Sequence, residues 1–159
     1  MAQGGPRWHG RNVNGDPIDR ALRDQLYGEA MLLADEARGY FDEPGWLNGD
    51  APDPLSTVRS SCESLKVTTR LLHAVSWLLT RRAVDAGELA PAEVRHPSRR
   101  LGAAPEVDEE ALALMPERAQ ALVAASVELY RRVERLDRAA DEAVASPARL
   151  MQERLSQAF

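Results

Sequence analysis

Residues 54–87, PLSTVRSSCESLKVTTRLLHAVSWLLTRRAVDAG, decide the fold class. Apolar and small residues fall at Leu55, Val58, Cys62, Leu65, Thr69, Leu72, Ser76, Leu79, Ala83 and Ala86, with steps alternating between three and four. That spacing is the signature of one face of a packed helix. Asp53 followed by Pro54 is a start signal, a capping side chain before a proline at the first helical position. Gly87 is a stop signal, the residue that most readily takes the left-handed turn after a last helical turn. Between Leu71 and Leu79 the helix is apolar on more than one side, which predicts a position between two other helices.

Two further helices follow from the flanks. Upstream, Asp16-Pro17 repeats the start signal, and Ile18, Leu22, Leu26, Ala30, Leu33, Ala37, Tyr40 and Phe41 trace one face up to Pro44-Gly45. Downstream, Met115-Pro116 opens a helix whose seam is Ala119, Leu122, Ser126, Leu129, Val133, Leu136, Ala140 and Ala143. The expected fold is all-α, an antiparallel three-helix bundle over 16–145, with disordered tails at 1–15 and 146–159 and a long loop at 88–113 between the second and third helices. Around Glu93 the loop allows one short helical turn. Ser146-Pro147 starts a last segment in which Leu150, Met151, Leu155 and Phe159 form a short apolar stripe.

Bulk properties narrow the function. The 159 residues suffice for one domain, and a net charge of -5 argues against a general nucleic-acid binder or a polybasic membrane anchor. No apolar run approaches the length of a membrane span. The lone Cys62 forms no intramolecular disulfide, and the first fifteen residues carry no apolar leader, so the expected location is cytoplasmic. Catalytic equipment is not expected. A dinuclear carboxylate bundle needs two Glu-x-x-His motifs, and only Glu93–His96 has that spacing, in the loop. Cys62 lies on the predicted seam and reads as a small buried hydrophobe. No cofactor or metal is implied.

The polar positions of the second helix are also periodic. Arg59, Glu63, Lys66, Arg70, His73, Trp77 and Arg81 recur at three- and four-residue steps as a mainly basic stripe with one large aromatic. The plain expectation pairs it with the acidic first helix (Glu29, Asp35, Glu36, Asp42, Glu43) or leaves it solvated. The sharper one makes it a partner-binding face for an acidic protein. The terminal stripe Leu150/Met151/Leu155/Phe159 either folds back on the bundle or acts as a tether that orders on binding. His73 raises a rival, a phosphotransfer bundle, but Ser76 and Trp77 stand where those domains place a lysine and a glycine.

Three stretches carry a family resemblance. They are Leu26-Tyr27-x-x-Ala30-Met31-x-Leu33-Ala34-x-x-Ala37-Arg38-x-Tyr40-Phe41; Cys62-Glu63-Ser64-Leu65-x-x-Thr68-Thr69-Arg70-Leu71-x-His73 with Trp77-Leu78-Leu79 and Arg82-Ala83-Val84-x-Ala86-Gly87-Glu88; and Ser126-x-x-Leu129-Tyr130-x-Arg132-Val133-x-Arg135-Leu136-Asp137. The chain resembles the alphaproteobacterial RcdA family, regulators of CtrA degradation, from about Leu22 to Asp137. The resemblance implies a homodimeric three-helix bundle that is no enzyme but an adaptor. Its partners would be protein substrates, ClpX primed by a receiver-domain factor, and a second adaptor docking on the first. The resemblance also implies that a flexible C-terminal tail, here Ser146–Phe159, would take part in delivery. A structural dimer without a protease link is the remaining alternative.

Overall fold

The computed structural model describes residues 17–47 and 53–158. The expected tail at 1–15, the Asp16 cap and Phe159 lie outside them. All described regular structure is helical: α1 (Pro17–Asp42), α2 (Pro54–Asp85), α3 (Glu109–Leu114), α4 (Glu117–Ala145) and α5 (Pro147–Ala158), with short 3-10 turns at Pro91–Arg95 and Pro97–Arg99. The first of those turns contains Glu93, as expected.

The helix ends are local chemistry. The Asp53 carboxylate accepts the Ser56 amide at 2.7 Å, and Pro54 opens α2. At the other end Gly87 takes φ 76°. Its amide reaches the Val84 carbonyl at 3.0 Å, and the Glu88 amide reaches that of Ala83 at 2.9 Å. These two bonds satisfy carbonyls that a helix end otherwise leaves bare.

α1, α2 and α4 each pack on the other two. Leu26, Ala30 and Ala37 of α1, Val67, Leu71, Ala74, Trp77 and Leu78 of α2, and Ala119, Leu122, Val123, Leu129 and Val133 of α4 form the core. The predicted seams of the first and third long helices are therefore largely the buried ones, although Ile18 and Leu22 lie at the surface. At the end of α1 Phe41 packs edge to face with both Tyr40 and Trp46, the Phe41 and Trp46 centroids lying 4.8 Å apart.

The helix directions correct the antiparallel expectation. Arg70 donates to Ser126 Oγ at 3.4 Å and Trp77 Nε1 donates to Asp137 Oδ1 at 2.8 Å, so α2 and α4 advance together. α1 opposes both. Arg23 near its start holds Asp85 at the end of α2 at 2.9 Å, while Glu29 pairs with Arg132 at 2.5 Å and Glu36 pairs with Arg118. Two parallel neighbours need a crossover. α2 has 32 residues and is about 48 Å long, so the connection must run back along it. The expected loop at 88–113 is that return strap, and it is ordered against the core through Val94, Leu101, Val107 and Ala111.

The C-terminal segment also departs from expectation. Residues 147–158 form a helix rather than an irregular tail, because Pro147 is preset for a first helical turn and nothing after it breaks the periodicity.

Candidate functional site

An extended chain rises about 3.3 Å per residue and a helix about 1.5 Å, so each strap residue passes about two residues of α2. Gly102, Pro105, Glu106 and Asp108 accordingly meet His73, Arg70, Lys66 and then Glu63 and Arg59. The Arg70 guanidinium donates to the Pro105 carbonyl at 2.9 Å and the Lys66 ammonium to that of Glu106 at 2.8 Å. Glu63 accepts from Lys66 at 2.5 Å and from the Asp108 amide at 3.1 Å. Arg59 grips the Asp108 carboxylate with two nitrogens, at 2.8 and 2.6 Å, and reaches Glu110 at 3.2 Å.

Part of this row is interior, while the Arg59 and Lys66 side chains stay 33% and 29% exposed. Glu63, Arg70 and Trp77 are 0%, 1% and 3% exposed. The expected basic docking stripe is thus corrected: the strap covers its middle, and strap carbonyls and acids satisfy its charges. Pairing with α1 was the wrong complement, since the α1 acids Glu29 and Glu36 serve α4. Burial pushes the Arg70 guanidinium below its ordinary value, opposed by the nearby Glu63 charge. Hydrogen bonding to Arg59 pulls the Asp108 carboxyl down to about 2. Asp108 also caps α3 by accepting the Ala111 amide at 3.2 Å, so one carboxylate fixes the strap and starts a helix.

His73 is half-buried beneath Gly102. A Cβ on that glycine would stand 2.7 Å from His73 Nδ1, so the close approach requires glycine. Nδ1 is buried without a hydrogen-bond partner. Tyr130 fixes the same point of the strap, donating to the Gly102 carbonyl at 2.5 Å. Arg81 stacks over Trp77 at 4.9 Å, and burial, with the Arg23 charge, holds its guanidinium below the ordinary value.

Beside His73 a groove of about 510 Å³ opens between α2 and the strap, lined by His73, Ser76, Trp77 and Thr80 on one side and Ser98, Arg99, Arg100 and Gly102 on the other. Sequence reasoning passed over the strap side. Its signal was the Arg99-Arg100 pair in a segment too long to be a simple turn.

The second surface is the predicted α2 seam itself. Leu55, Val58, Leu65, Leu72 and Leu79 are exposed, Leu65 at 66% and Leu72 at 60%, and Cys62 is exposed with them. The seam is a real heptad row that faces outward, so Cys62 is no buried hydrophobe. On α5, Leu150, Met151 and Leu155 are likewise exposed.

A family model described as a protein of unknown function, DUF1465, matches residues 16–159. The chain belongs to the DUF1465 family. Among solved structures it matches the crystal structure of RcdA from Caulobacter crescentus CB15. Identity is 29% and the TM-score 0.60, over 80% of this chain and 93% of that one. The RcdA-family resemblance of the three helical stretches is thereby borne out. None of the curated proteins compared matches the chain. Among the described residues, no helix is long and apolar enough to cross a membrane.

Proposed function

We propose that this chain is a non-enzymatic adaptor that binds protein substrates and delivers them to the ClpXP protease in cell-cycle-regulated degradation. It works in the cytoplasm as a dimeric three-helix bundle. The observation that carries the proposal is the match to RcdA over 93% of that chain. The surfaces suit the role. The outward heptad row of α2 is the pattern that pairs with another helix, and in this reading a second copy covers it. The exposed stripe of α5, at the end of the chain, is the tether toward the protease. Holding a substrate and a protease together raises the local substrate concentration to about millimolar even when each contact is weak.

The test is reconstituted degradation by ClpX and ClpP with a receiver-domain primer and a panel of candidate substrates, with and without the chain. Faster loss of at least one substrate, abolished by deleting residues 146–159, is expected. Unchanged rates for every substrate would overturn the adaptor role. Sedimentation of Leu65→Glu/Leu72→Glu separates that outcome from loss of dimerisation, because this variant is expected to run as a monomer.

A further inference from the structure

The groove between α2 and the strap holds cationic and hydroxyl groups that the fold does not fully use. Arg100 is committed, bound to Asp137 at 3.2 Å and Asp141 at 2.7 Å. Arg99 is exposed, and its guanidinium has no hydrogen-bond or ion-pair partner among the described residues. Arg81, which does not line the groove, stacks on Trp77 with its Nε buried without a partner. On the facing wall Thr80 Oγ1 donates to the Ser76 carbonyl at 2.9 Å, which leaves its lone pairs free, and Ser76 stands one turn earlier. Ser98 Oγ is bonded to His96 Nδ1 at 2.7 Å. The end wall is the His73 ring under Gly102, fixed by Tyr130.

We propose that this groove binds an acidic peptide segment, with one ligand carboxylate on Arg99 and the ligand backbone along the Ser76/Thr80 hydroxyls. Charge complementarity selects the occupant. One uncommitted guanidinium matches one carboxylate as a two-bond fork, whereas a phosphoryl group is normally gripped by several converging donors. The volume of about 510 Å³ lies in the roughly 300–1,000 Å³ range of ligand sites and exceeds what a single ion fills. Hydroxyls one helical turn apart suit the amides of an extended chain. The site does not depend on ClpXP: a chain that failed in the degradation assay would still bind the peptide.

Fluorescence anisotropy on the full chain tests it. The probes are fluorescein-labelled decapeptides of Gly, Ser and Leu carrying three Glu, a twin with three Gln, and a twin with three phosphoserines. The Glu peptide is expected to bind, and the Gln twin to bind about tenfold more weakly, as does the Glu peptide to Arg99→Gln. Arg99 is exposed, so Arg99→Gln should unfold at the wild-type temperature. Gly102→Ala, which displaces the His73 end wall, should also weaken binding. Equal affinity for the Glu and Gln peptides overturns the proposal. So does unchanged affinity in Arg99→Gln, or no binding at millimolar peptide. Binding of the phosphoserine twin alone would make the groove a phosphoryl site and overturn it equally.

Discussion

The two faces of α2 depart from the usual order. Beside the core residues Val67, Leu71, Ala74 and Leu78, its inner face carries a carboxylate, two cations and an indole at Glu63, Lys66, Arg70 and Trp77, and its outer face carries Leu55, Val58, Leu65, Leu72 and Leu79. The inner face is tolerable because Glu63, Lys66, Arg70 and Trp77 each meet a partner on the strap or on α4, although Glu63 Oε2 is buried without one. A buried charge without such partners costs several kcal/mol. Among the described residues the outer face has no comparable cover. The lesson is that periodicity finds the faces of a helix, while the partner available to each face decides which turns inward.

Breaking the inner face should cost far more than editing the outer one. Trp77→Ala removes a core ring and the donor to Asp137, and urea unfolding should show a loss of about 4 kcal/mol. Gly102→Ala forces a methyl group against the His73 ring, with a loss of about 2 kcal/mol. Combining it with His73→Ala should recover part of that loss in a double-mutant cycle.

Acid should loosen the inner face in a defined window. The folded Asp108 carboxyl titrates at about 2, below its unfolded value of about 4. Its contribution is therefore complete above about pH 4 and lost as pH falls from about 4 toward 2. Amide exchange at the strap should accelerate over that interval in the wild type and show a weaker dependence in Arg59→Met. Glu29, lowered by its hydrogen bond to Arg132, shifts in the same direction. Smallest of all, Leu65→Ser on the outer face should change the unfolding free energy of the isolated chain by no more than about 0.5 kcal/mol. In a dimer the same change should instead weaken association, read as a lower midpoint at low protein concentration.

The helix limits were legible because their causes are local. Pro54 after Asp53 and Gly87 after Ala86 act within one turn, and α1 ends at Asp42 just before Pro44. Which way α2 turns was not legible. Its two faces share the three-and-four spacing, and the strap that decides between them has no period of its own. The parallel course of α2 and α4 was hidden for the same reason, although the length of residues 88–113 was its trace. The groove required both errors to be undone, since Arg99 and Arg100 become neighbours of His73 only once the strap runs back along α2.

The return strap also has a timetable. Arg70 precedes its carbonyl partner Pro105 by 35 positions, and Trp77 precedes Asp137 by 60. At a synthesis rate of roughly 5–20 residues per second, the first gap lasts about 2–7 s and the second about 3–12 s. During that interval the nascent α1–α2 hairpin displays an uncovered charged face on one side and an uncovered leucine row on the other. The newborn chain is therefore at its stickiest before the strap and α4 are made, and this is the stage at which a chaperone would have most to hold.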